Sequence, residues 1–147
     1  MISEVRVSAG PAPAPIWVGG VAVRYGVPIG QQDHQGQTYL ESFAKGCFYK
    51  TVASGGDVAA ELDGQRVAVR SSGTLRLEPD EEGLWYEIAV PAGDEGAALL
   101  AKLAGVKRVG VAFSLRGPGS DQWEGTGEQR TRTLRDVVLE KIVLSSE

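Results

Sequence analysis

Short runs of alternating apolar and polar residues, each closed by glycine or proline, limit most strongly the folds open to this chain. An extended run of this kind puts its apolar side chains on one face. With 20 Gly and 7 Pro in 147 residues falling largely between such runs, the pattern is that of a β-rich domain joined by tight turns. Residues 66–70 (RVAVR) and 74–78 (TLRLE) flank a Ser71-Ser72-Gly73 turn, and the turn Pro79-Asp80-Glu81-Glu82-Gly83 leads into 84–90 (LWYEIAV). There Leu84, Tyr86, Ile88 and Val90 share a face. Residues 109–116 (VGVAFSLR) place Val109, Val111, Phe113 and Leu115 on one face and Gly110, Ala112, Ser114 and Arg116 on the other.

Residues 1–8 predict a short strand, and 16–25 (IWVGGVAVRY) a second whose Gly19-Gly20 pair suggests a bulge or bend. Residues 26–37 read as a polar loop, 40–52 (LESFAKGCFYKTV) as holding a short helix with Phe43, Cys47 and Phe48 inward, and 117–127 as a Gly-rich loop around Trp123. Residues 130–144 supply a long final strand or bent pair. One helix stands out at 94–104, with Asp94 at the N-cap, Leu99, Leu100 and Leu103 on one stripe, and Gly105 just past the C-cap. The fold class is therefore β-rich α+β. Residues 1–15 form an extended Pro-rich N-terminal arm and 16–147 a single domain. Within the arm Pro11, Pro13 and Pro15 lock φ and remove donors, making either a stiff linker or an arm lying on a neighbouring subunit.

Composition excludes several function classes. Fifteen Lys+Arg against 19 Asp+Glu give a net charge of −4 and a pI of about 5.1, which argues against nucleic-acid binding through the phosphate backbone. No apolar run reaches the roughly 20 residues a membrane helix needs, and MISEVRVSAG lacks the pattern of a secretory leader. One Cys, Cys47, leaves no internal disulfide and no Cys-rich zinc site, and reads as a small buried side chain. Asp80, Glu81, Glu82, Asp94 and Glu95 read as solvated turn and cap residues, since a hard cation needs converging oxygens; no cofactor or metal is expected. Trp17, Trp85 and Trp123 are candidate core or interface anchors. Arg130, Arg132 and Arg135 form one modest basic cluster and Lys107 with Arg108 another.

Several segments taken in order resemble a known family. Residues 43–48 (FAKGCF) followed by 57–63 (DVAAELD) look like the head of a tailed-phage prohead protease of the HK97 type, where a Pro-Gly-Ala-Phe element precedes a strand ending in Asn-His-Asp. Residues 72–77 (SGTLRL) and 82–87 (EGLWYE) are similar to the family's hairpin. Residues 109–115 (VGVAFSL) stand where the family has Ser-Gly-x-Ser-x-Gly-Phe, and 136–143 (DVVLEKIV) are similar to its closing strand. The resemblance spans about residues 17–145. It implies a small, mostly antiparallel β-barrel with one or two packed helices, as in herpesvirus assemblins.

The departures fall on catalytic positions. A serine protease needs a hydroxyl nucleophile, a base and a group that orients the base. The resemblance implies a His where this chain has Leu62, serines at Val109 and Ala112, and a carboxylate at Lys141. A shift of one would bring in Asp63 or Glu140, but no histidine. The lone histidine, His34, and Ser114, on the strand face of Ala112, are the remaining substitutes. The expectation is thus a non-enzymatic capsid-associated protein, a decoration, minor capsid or assembly component in a virion or procapsid assembled in the bacterial host cytoplasm. Its partners would be the major capsid protein, other virion proteins or further copies of itself, contacted through Pro11, Pro13, Pro15, Trp123, Arg130 and Arg132, with no nucleic acid or membrane. The alternatives are a divergent active maturation serine protease cleaving scaffold or capsid precursor, and an unrelated β module.

Overall fold

A computed structural model describes the backbone of residues 5–9 and the whole of 15–147. Among the described residues twelve strands form three four-stranded sheets, accompanied by two α-helices. The first sheet has the order β1 (Val5–Ala9), β2 (Ile16–Arg24), β8 (Gly83–Val90), β7 (Leu75–Pro79), all antiparallel. The second runs β6 (Gln65–Val69), β5 (Ala59–Leu62), β12 (Val137–Ser145), β9 (Arg108–Leu115), and the third β10 (Asp121–Glu124), β11 (Thr131–Leu134), β4 (Thr38–Phe43), β3 (Ile29–Gln32). Two pairings are parallel, β12 with β5 and β11 with β4. The β-rich, mostly antiparallel expectation is met; among the described residues the sheets do not close into one barrel.

The best-patterned run behaves as written. In β8 Leu84, Tyr86, Ile88 and Val90 are buried and Trp85, Glu87 and Ala89 are not fully so. They join Phe48, Leu134, Leu139 and Ile142 in one core, the term that drives folding. The strand 16–25 also forms, but its bulge lies between Val21 and Val23 rather than at the glycine pair. Gly19 answers a different need: a Cβ there would stand 1.8 Å from the Tyr86 carbonyl oxygen.

Where the sequence predicted loop or helix, pairing across strands decided otherwise. The expected loop 26–37 contains β3, and the expected helix 40–52 is split into β4 and the short helix α1 (Tyr49–Ala53). Phe43, Cys47 and Phe48 are nevertheless all buried. β4 has neighbours on both sides, which outweighs a weak local helix preference. The Gly-rich loop 117–127 likewise contains β10. The residues 130–144 form a bent pair, β11 and β12, that belong to different sheets.

Helix α2 spans Asp94–Ala104 as predicted, but Gly93 is its N-cap and Gly105 its C-cap, with φ −89° rather than a left-handed value. Leu103 is buried whereas Leu100 is exposed, so the apolar stripe is narrower than expected.

Among the described residues three buried side chains are polar, Glu41, Thr51 and Ser120. Thr51 of α1 is buried, and its hydroxyl donates to the Val137 carbonyl (2.9 Å) and accepts from the Leu139 N–H (3.2 Å) and the Arg116 guanidinium (3.3 Å). β5 pairs with β12 only from Lys141 onward, so Thr51 satisfies the stretch of strand edge that β5 leaves bare. Opposite that edge, β12 carries a bulge between Leu139 and Lys141.

Candidate functional site

The bulge at Glu140 decides which side chains share a face. Before it Val137 and Leu139 point inward; after it Ile142 and Leu144 do. Lys141 is therefore turned to the outer face of the second sheet, directly across from Ala112 of β9. Leu62 lies opposite Leu144 and is buried in the core, and Val109, opposite Leu144 on the other side, packs against the same core. The positions named from the resemblance thus divide between two faces: Ala112 and Lys141 come together outside, Leu62 and Val109 lie inside.

The residue of β5 that shares the outer face is Glu61, which the sequence reading missed. Its carboxylate lies 3.1 Å from the Lys141 ammonium. The turn after β5 is the signal that was available. Asp63 and Gly64 both have positive φ (48° and 85°), the geometry of a two-residue hairpin turn that favours Asp-Gly. Asp63 is engaged there, accepting from the Ser146 N–H (3.0 Å) and hydroxyl (2.6 Å). Those bonds hold its carboxyl below the usual range. Glu140 is exposed at the bulge.

Ser114 is exposed on the same outer face, opposite Val138. His34 is exposed in the turn joining β3 to β4, on the third sheet. That turn is closed by Asp33, whose carboxylate accepts from the N–H groups of Gln35 and Gln37, both at 2.9 Å. Two serine hydroxyls elsewhere donate to oxygens, Ser71 to Asp57 (3.1 Å) and Ser72 to the Val69 carbonyl (3.1 Å).

The third sheet gathers a second group of residues. Trp123 lies across from Arg132, and Arg132 across from Glu41. Arg132 donates to Asp121 (2.8 Å) and Glu41 (3.1 Å), and Arg130 donates to Asp33 (2.9 Å). Burial pushes the Glu41 carboxyl up despite Arg132, while the flanking carboxylates outweigh burial at Arg132 and raise its pKa. Both guanidiniums stand near the Trp123 ring, at 5.3 and 5.4 Å from its centroid. Arg135 turns away to hydrogen-bond Gln122. Of the other named positions, Pro15 is half-buried just ahead of β2, and Pro11 and Pro13 lie outside the described residues. Glu41 also forms a wall of an apolar cleft of about 440 Å³ between β2, β9 and β3, lined by Val21, Val23, Ile29, Val111 and Phe113.

One of the acidic turn residues, Asp80, has a structural role. The Asp80 carboxylate accepts from the N–H groups of Glu82 (2.8 Å) and Gly83 (2.9 Å), closing the β7–β8 turn. Among the described residues no cluster of three His, Cys, Asp or Glu could hold a metal, and no helix is long and apolar enough to cross a membrane.

The three sheets, with β12 held between β5 and β9, make a β-rich domain that carries this outer face. The family model for caudovirus prohead serine proteases matches residues 20–144. The chain belongs to that family, and membership connects it with the capsid components of tailed-phage proheads. No curated protein and no solved structure matches it.

Proposed function

We propose that this chain is a non-enzymatic, capsid-associated structural component, built on a prohead-protease fold whose catalytic positions have been replaced. The observation that supports this most directly is the outer face of β5, β12 and β9. There a methyl group, Ala112, faces Lys141, and Lys141 is bound to Glu61 at 3.1 Å. A methyl cannot attack a carbonyl, and an ammonium paired with a carboxylate has no lone pair to take a proton. His34 and Ser114 sit on different sheets. A protein that keeps the fold without a nucleophile and base acts through its surface. Its partners on this reading are the major capsid protein or other virion proteins, in a procapsid or virion assembled in the bacterial host.

Co-expression with the cognate capsid precursor, followed by gel and mass analysis of purified particles, tests this. Full-length chain in the particles, with capsid cleavage unchanged in Ser114→Ala and His34→Ala variants, is the expected result. Precursor cleavage abolished by either substitution would instead establish a maturation protease.

A further inference from the structure

On β10, the edge strand of the third sheet, Trp123 is 45% exposed, with the Tyr39 ring 5.0 Å away and tilted by 57°. Aromatic pairs on a protein surface commonly receive either anions, through neighbouring arginines, or stiff proline-rich segments. The charge here favours the second. Arg130 is matched by Asp33, and Arg132 by Glu41 and Asp121, so the platform is close to neutral and offers no unmatched cation.

The chain itself contains a neutral ligand of the fitting kind. Residues 10–15 read Gly-Pro-Ala-Pro-Ala-Pro, without a charged side chain. Alternating prolines favour polyproline II, in which residues two apart are separated by about 6 Å along the axis. That spacing is close to the 5.0 Å between the Tyr39 and Trp123 rings. Proline lacks an N–H and has its φ preset, so it loses little on being immobilised.

The segment and the Phe43 end of β4, the strand that carries Tyr39, lie at opposite ends of β2. The segment leads into Ile16, and its other end is tied to the same place because Ala9 pairs with Ile16. The third sheet joins at the far end, where the Gly26 N–H donates to the Phe43 carbonyl (2.9 Å). Eight residue steps along β2 separate the two ends by about 27 Å, whereas Pro13 reaches no more than about 10 Å from Ile16. We propose that the Tyr39–Trp123 platform of one copy binds the proline segment, residues 10–15, of a second copy. The contact is head to tail, so it leaves one free segment and one free platform on every pair and extends into rings or chains rather than stopping at a two-fold dimer. It does not depend on whether the chain cleaves anything.

Sedimentation velocity of the full chain over a concentration series tests the contact. The wild type is expected to grow beyond dimer with concentration. Trp123→Ala, and separately a variant with Pro11, Pro13 and Pro15 all changed to Ala, each weaken association at least roughly thirty-fold. Tyr39→Ala serves as a second platform variant should Trp123→Ala unfold, as checked by circular dichroism. The decisive sample is an equimolar mixture of a platform variant with the proline variant. Each supplies one intact half, so the mixture forms dimers and nothing larger. A wild type that stays monomeric, variants that associate like the wild type, or a mixture that stays monomeric would each overturn the proposal.

Discussion

Thr51→Val isolates one oxygen atom in the core. Valine keeps the shape of threonine, so packing around α1 is preserved while the hydroxyl is lost. The Val137 carbonyl and Leu139 N–H, bonded to that hydroxyl at 2.9 and 3.2 Å, then face a methyl group on an edge that β5 does not reach. Val137 and Leu139 are 0% and 2% exposed, so water cannot readily replace the bond. Each unsatisfied buried backbone group costs about 1–3 kcal/mol, which makes about 2–6 kcal/mol for the pair. For a chain of this size that lowers the melting temperature by about 6–18 °C. Thr51→Ser is the control: it retains the hydroxyl and loses a methyl, at about 1 kcal/mol. Urea denaturation of the three proteins by fluorescence gives the order wild type, Ser, Val. If Val equals or exceeds Ser, burial of apolar surface governs this site and the edge-capping role of Thr51 is wrong.

Three further outcomes are expected. Gly96→Ala puts a methyl 1.5 Å from the Pro91 carbonyl oxygen, so a substitution that helix propensity alone would favour by about 1 kcal/mol instead destabilises by at least about 2 kcal/mol in a thermal melt. Cys47 is fully buried, and burial pushes its thiol up to about 12; a disulfide reagent at pH near 8 is expected to react only after denaturant is added, and prompt reaction of folded protein would refute it. Burial alone would raise the Asp136 carboxyl, but its hydrogen bonds to Lys50 and Arg116, both at 3.0 Å, outweigh that and lower it. With the folded value below the unfolded one, the associated stability is present above about pH 4 and lost as pH falls through the folded pKa. Asp136→Asn removes that acid-limb loss, which urea midpoints measured from neutral to acidic pH would reveal.

What could be read from the sequence follows from how each element is stabilised. β8 and α2 carry their pattern in their own side chains, and their positions were legible for that reason. β3 and β10 bury almost none of theirs, being exposed at every residue but Asp121. They exist through hydrogen bonds to β4 and β11, which no alternation announces. The site was legible in the same uneven way. Trp123, Arg130 and Arg132 stood out as residue types, but Tyr39, Asp33 and Glu41 join them through a parallel pairing between segments some ninety positions apart (Arg132 to Glu41 is 91). On the outer face of the second sheet, Glu61 was passed over for Leu62 because the choice of face rests on the β5 register with β12.

The bulge in β12 has a consequence for how this strand tolerates change. Glu140 is exposed and is the extra residue of the bulge, so almost any residue in its place leaves the fold intact. Deleting it would only straighten the strand: Leu139 inward, Lys141 outward and Ile142 inward is already strict alternation. Deleting Val138 or Val143 is another matter, because neither is surplus to the pleat. The strand beyond the cut would turn over and send Val137 or Leu144 to solvent. A single surplus residue thus gives β12 one place where its length can change without its faces changing.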